Sequence, residues 1–193
     1  MKTELGTRSR LIATTAELLQ TRGYQATGLN RILQGSSTAK GALYHHFPGG
    51  KEELAVHALA AGGAFVDQAI EQALASTDNL SEALHILAQA FAEQLQTSNY
   101  QKGCPIATTA LEEAALNDHL QLACNKVFHA WQARTEQSLL QSGWEPTNAT
   151  KMATFILAVL EGGLLLSRVE RTTQPLEQVV DILAILLTQG EKK

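Results

Sequence analysis

At 193 residues the chain is long enough to bury a substantial core, as one large domain or as a small domain joined to a larger one. Apolar residues make up 45 % and charged residues 18 %, which excludes a disordered chain, and two cysteines exclude a disulfide scaffold. The net charge of −4 argues against a nucleic-acid partner only while it is averaged. The first 51 residues carry seven basic against two acidic groups (+5), and the remainder eight against seventeen (−9). A basic head on an acidic body is the asymmetry of a domain that meets phosphate, although chance clustering can produce it too.

No alternating run of Val, Ile and Thr stands out, only four prolines are present, and Ala, Leu and Gln are abundant, so the expected class is all-α. From Thr7 to Arg22 apolar residues recur at helical spacing, and Gly23 follows as a stop. Thr27 is placed to cap a second helix with a Leu29, Ile32, Leu33 stripe. A hydroxyl of Ser36-Ser37-Thr38 is expected to cap a third, from about Ala39 to His46, with Leu43 and Phe47 inward. Pro48-Gly49-Gly50 ends this three-helix head. A long helix is predicted from Lys51 to Ala75, another from Leu80 to Ser98, and one starting at Pro105. Asn117 is a cap for the next, to Gln141, and Pro146 and Pro175 introduce the last two, to about Val169 and Gln189. The count is about nine helices. The division expected is 1–50 as a helix-turn-helix DNA-binding domain and 51–193 as a helical body.

The opening Met-Lys-Thr-Glu-Leu-Gly has no apolar run, so no signal peptide is expected. The most apolar stretch, Phe155 to Leu166, is short for a bilayer and contains Glu161, which predicts a cytoplasmic protein with no membrane partner. The chain carries no G-x-S-x-G, G-x-x-x-x-G-K-[ST] or H-E-x-x-H. The adjacent His45 and His46 point about 100° apart on a helix and cannot share one metal. Neither an enzyme, nor a metal site, nor a cofactor is expected.

The third helix concentrates groups suited to a duplex. Lys40 and Tyr44 share one side, as do Gly41 and His45. Gly41 lets the backbone lie close to a groove wall, Lys40 supplies charge, and Tyr44, His45 and His46 can donate to phosphate or base edges. Lys51 and Thr27 stand at helix starts that favour anions, and Thr38 opens the candidate reading helix. Singly, each has an ordinary reading, Tyr44 as a packing residue and the lysines as solvated charges. Their joint placement favours DNA.

The residues Gly23-Tyr24, Thr27, Ile32, the run Lys40 to Phe47, and Lys51-Glu52-Glu53-Leu54 closely resemble the head of TetR-family transcriptional regulators. The Pro-Gly-Gly insert and the downstream Gly103-Cys104-Pro105 resemble the LmrA/YxaF-like branch. One stretch departs from the family, which usually has Gly in the helix-turn-helix turn and often Pro near its exit. Here Gly35 is followed by Ser36-Ser37-Thr38-Ala39. The resemblance implies a homodimer joined through the two last helices, a palindromic operator, and a small-molecule effector that releases it. A dimer would set the two reading helices about 34 Å apart.

The apolar pattern supports pairing independently, since Phe155 to Leu166 is apolar nearly all round. The interface residues expected are Ile156, Leu160, Gly163 and Leu164 with Leu176, Val179, Val180 and Leu183. Candidate pocket residues are Phe65, Phe91, Tyr100, Cys104, Thr108, Phe128, Trp131 and Phe155, each equally readable as core. Few charges lie on the body's apolar faces, which points to an apolar or aromatic effector. Cys104 follows Lys102 and precedes a helix start, so a thiol sensor of oxidants or electrophiles stands beside a purely structural turn. Glu112 is a candidate buried carboxylate or a solvated one. A helical interaction module without DNA binding remains the competing function.

Overall fold

A computed structural model of the chain describes residues 6–190, with side chains to residue 188. The opening stretch read for a signal peptide lies, but for Gly6, outside the described residues. Among those described there are nine α-helices and no strand: α1 (Thr7–Arg22), α2 (Leu29–Gly35), α3 (Lys40–His46), α4 (Gly50–Ala75), α5 (Leu80–Thr97), α6 (Pro105–Glu113), α7 (Asp118–Gln141), α8 (Pro146–Glu170) and α9 (Gln174–Gly190). Every predicted helix is present, with ends within about two residues of those expected.

The helices gather into two compact units. Of the described residues, one takes 6–65 together with Cys104–Val127, and the other Val66–Gly103 together with 128–190. In the first unit, Leu11, Ile32, Leu43, Phe47 and Leu54 form a core to which α1, α2, α3 and α4 each contribute. Burying such side chains contributes roughly 1.5–3 kcal/mol each before entropy is charged against it. In the second unit, Leu80, Leu84, Leu139, Ala149, Ala153, Ile156, Leu176, Val180, Leu183 and Leu187 make the main core, to which α5, α7, α8 and α9 contribute.

Local chemistry accounts for several boundaries. The Asn79 side chain accepts from the Ser81 and Glu82 N–H groups and starts α5. Pro105 stands in the first turn of α6, whose cap is the Cys104 Sγ accepting from the Ala107 N–H at 3.4 Å. The Asn117 side chain accepts from the Leu120 N–H at 3.0 Å and starts α7 as expected.

Two expected caps are not made. Gly28, not Thr27, occupies the cap position of α2, without a side-chain bond. Ala39 occupies that of α3, and none of the preceding hydroxyls serves it. Ser36 Oγ donates back to the Ile32 carbonyl at 2.7 Å, and Thr38 Oγ1 to the Ser36 carbonyl at 3.1 Å. These hydroxyls close the end of α2 instead of opening α3.

α8 is longer than its apolar run suggested. At 25 residues it is long and apolar enough to cross a membrane by length and composition. Its Ala149, Ala153, Ile156, Gly163 and Ser167 are nevertheless buried, against the rest of the second unit.

Candidate nucleic-acid interface

α3 is held by its buried side. Leu43 and the following Phe47 are fully buried, while Lys40, Gly41, Tyr44 and His45 face outward. Tyr44 keeps 41 % of its surface, a half-packed ring with a free polar end. A Cβ added at Gly41 would meet nothing within 4 Å, so its backbone is open to a close approach. His46 is half-buried, with its ring 5.1 Å from that of His45 and 6.5 Å from that of Phe47.

The turn between α2 and α3 shows how this chain replaces the glycine of the usual pattern. Ser37 takes the left-handed conformation, at φ 50°. The flanking N–H groups are all used: Ser36 donates to Ile32, Ser37 to Gln34 and Thr38 to Leu33. From α1, Arg10 Nε donates to the Ser36 carbonyl at 3.1 Å. The turn is tied down by hydrogen bonds at a position where a residue with a Cβ is strained by about 1 kcal/mol.

Other predicted contacts are differently placed. Thr27 is fully buried, and its hydroxyl donates to the Gly23 carbonyl at 2.6 Å. It holds the α1–α2 turn together and offers no surface to a duplex. Lys51 is half-buried with its Nζ 3.8 Å from the centre of the Tyr24 ring. Burial lowers its pKa, while Glu113 and then Glu112 act to raise it. Thr38 is half-buried, its hydroxyl turned to the loop backbone.

Sequence reasoning missed what surrounds Lys51. Gln25, beside Tyr24, donates its backbone N–H to Glu112 Oε2 at 2.9 Å and its side-chain amide to Glu113 Oε1. Glu113 is only 4 % exposed. On the next residue of α4, Glu52 accepts from Asn117 Nδ2 at 2.7 Å and pairs with His119 Nδ1 at 2.6 Å. The only sequence signal was Glu112, flagged as a candidate buried carboxylate; its neighbour is the buried one.

The predicted interface residues on the last two helices are buried in the chain's own fold. Ile156, Leu176, Val180 and Leu183 belong to the core, and Leu160, Leu164 and Val179 pack against it. Gly163 faces α9 directly: a Cβ there would lie 2.7 Å from Val179 Cγ2. These residues join α8 to α9 within one chain. The apolar side left uncovered is a different one: Phe155, Leu165, Leu166 and Val169 on α8, with Ile182 and Ile185 on α9. Gly162 belongs to that side, for a Cβ there would meet nothing within 4 Å.

The candidate pocket residues do not share one environment. Phe65 is 70 % exposed and Phe155 is exposed as well. Trp131 is buried with its ring 5.7 Å from that of Phe128, edge-on. Phe91 is half-buried against two apolar clusters. Tyr100 is in the left-handed region, its carbonyl accepting from Arg168 Nε at 3.5 Å. Cys104 caps α6, and Thr108 Oγ1 donates to its carbonyl at 2.8 Å. Burial pushes the Cys124 thiol up to about 11, an inert packing group.

An exposed reading helix behind a closed turn, on a basic three-helix head, is the arrangement of helix-turn-helix transcriptional regulators. Residues 11–58 match the bacterial regulatory proteins of the tetR family, to which this chain belongs. Residues 81–182 match the C-terminal domain of LmrA/YxaF-like transcriptional regulators, which places it in that branch. The HTH-type transcriptional regulator YxaF of Bacillus subtilis is 34 % identical over 180 residues, covering 93 % of this chain and 94 % of its own. The HTH-type regulator LmrA of the same organism is 30 % identical over 180 residues, covering 93 % and 96 %. A TetR transcriptional regulator from Legionella pneumophila superposes with a TM-score of 0.84 at 22 % identity, over 95 % of this chain and 97 % of that one, a likeness of fold. The family consists of transcriptional regulators, not enzymes; its members bind DNA and usually act as dimers.

Proposed function

We propose that the protein is a cytoplasmic, homodimeric repressor that binds a palindromic operator and is released by a small apolar or aromatic effector. In this reading residues 1–50 are the DNA-binding head and 51–193 the effector-binding and dimerisation body. α3 enters the major groove with Lys40, Gly41, Tyr44 and His45 toward the DNA, and His46 at the edge of the contact. Lys51 reaches a phosphate when it leaves Tyr24. Thr27 and Thr38 serve by shaping the turns. The observation that carries the DNA reading is the outward face of α3, charged and polar around a glycine whose backbone is open.

Dimerisation runs through the uncovered apolar stripe. Phe155, Ala158, Gly162, Leu165 and Val169 recur at intervals of three and four along α8, and Ile182 and Ile185 add the matching side of α9. A monomer leaving these side chains in water would carry an unusually large apolar patch. The effector site draws on candidates within the second unit, Phe91, Tyr100, Phe128 and Trp131. An effector need only bind the non-binding arrangement of the dimer more tightly.

The test is selection from a pool of random duplexes at near-physiological salt, with sedimentation to establish the dimer. An enriched palindrome supports a dimeric regulator. A folded protein that retains no sequence at any salt removes the DNA reading and leaves a helical interaction module.

A further inference from the structure

The acidic pair at the end of α6 has no role in the function proposed above, although Glu113 is buried and charged groups are seldom buried without a partner. Its partners lie in the head. Glu112 takes the backbone N–H of Gln25, and Glu113 takes that residue's side-chain amide. Gln25 is covalently next to Tyr24, whose ring lies under the Lys51 ammonium. Gly23 completes the grip, because its lack of a side chain admits Glu112: a Cβ there would fall 2.0 Å from Glu112 Oε1. Any other residue would push that carboxylate aside and be strained at φ 75°.

We propose that Glu112 and Glu113 hold Lys51 in reserve: gripping Gln25 fixes the Tyr24 ring as a seat for the ammonium, and the two carboxylates compete with duplex phosphate for the same cation. The inference rests on the DNA-binding reading and adds an internal brake to it. Duplex must lift Lys51 from Tyr24 and from the field of two carboxylates before a phosphate contact forms. Anything that moves the end of α6 away from the α1–α2 turn frees Lys51, so these glutamates are positioning residues for a contact they do not make. The directions of the shifts agree. Burial raises the pKa of Tyr24, and Glu52 and Glu113 raise it further; the same Glu113 and Glu112 act to keep the half-buried Lys51 charged.

The test compares Glu112→Gln/Glu113→Gln with the native protein, in the native and in the Lys51→Met background, on one selected duplex across a salt series. Gln keeps the shape and an acceptor oxygen, and Glu112→Gln alone serves should the buried substitution unfold the chain. In the native background affinity rises up to about fivefold, the range of one weak charge pair, and the salt slope steepens by about one unit. In the Lys51→Met background neither changes. An equal gain in both backgrounds, or no gain in either, overturns the brake and leaves general repulsion or packing. A second readout needs no DNA: the acylation rate of the Lys51 amine at fixed pH, followed by mass spectrometry. Removing the carboxylates lowers the amine's pKa, and acylation accelerates about twofold or more. Should the native protein bind no duplex, the DNA reading fails separately. The acylation rate then decides the seat: faster in the variant supports it, and unchanged overturns it.

Discussion

Gly163 of α8 packs directly against Val179 of α9: a Cβ in its place would lie 2.7 Å from Val179 Cγ2 and 3.3 Å from the Leu176 Cα. Neither neighbour gives way easily, since Val is stiff at χ1 and the second atom is backbone. Gly163→Ala is therefore expected to destabilise the protein by up to about 2 kcal/mol. Overpacking costs roughly 1–3 kcal/mol against a helix-propensity gain of about 1. Urea unfolding at fixed protein concentration measures it. A more stable Gly163→Ala protein would mean that α8 and α9 do not meet as closely as the structure has them.

The opposite side of α8 makes a separate prediction. Leu165→Glu combined with Ile182→Glu places charges on side chains that the chain itself leaves exposed. The expected product is a helical monomer by sedimentation, with the α8–α9 seam intact by circular dichroism. A dimer that survives the pair would move the interface off this stripe.

These two sides of α8 mark the limit of what the sequence made legible. Helix periodicity found all nine elements, because apolar spacing, Pro105, Pro146 and Asn117 are local signals. The head's core was equally readable from Leu43 and Phe47. A helix apolar nearly all round, however, does not announce which side its own chain covers, so the seam residues were taken for the dimer surface. Thr27 failed for a related reason. A threonine before a helix is read as a cap, but here the hydroxyl finds the Gly23 carbonyl one turn back. The Lys51 seat was invisible because only the fold brings Glu113 to Gln25, 88 residues away in the sequence.

Thr27→Val separates the two readings of that residue. The buried hydroxyl bond to Gly23 is lost, which costs about 1 kcal/mol of stability, and the isosteric side chain keeps the packing. Affinity for a selected duplex should change little under conditions where the protein is fully folded, and the salt slope should not change. A slope flattened by about one unit would restore Thr27 as a phosphate contact.

Ser37 offers a gain instead of a loss. Its φ of 50° is a conformation that glycine adopts freely, and its N–H already donates to the Gln34 carbonyl. Ser37→Gly is expected to stabilise the protein by up to about 1 kcal/mol, reduced by the greater freedom that glycine gives the unfolded chain. Thermal unfolding reads the sign. A marked fall in midpoint would show that the serine side chain contributes more than its backbone strain costs.

The Glu52–His119 pair makes stability depend on pH in a definite window. Its hydrogen bond to Glu52 raises the His119 pKa above the ordinary 6.5, and the bond from His119, then that from Asn117, lowers the Glu52 pKa below 4.5. A raised histidine stabilises below its unfolded value, and that contribution is lost as pH rises through its folded value. A lowered carboxylate stabilises above its unfolded value and loses this as pH falls through its folded one. The pair therefore contributes most between about 4.5 and 6.5, the two unfolded values. His119→Gln should narrow its stability deficit above that window, as the native histidine loses its proton, and also well below it. Imidazole NMR supplies the direct check: the His119 midpoint should fall toward 6.5 in Glu52→Gln. An unmoved midpoint would mean that the start of α4 and the start of α7 are not joined through these two side chains in solution.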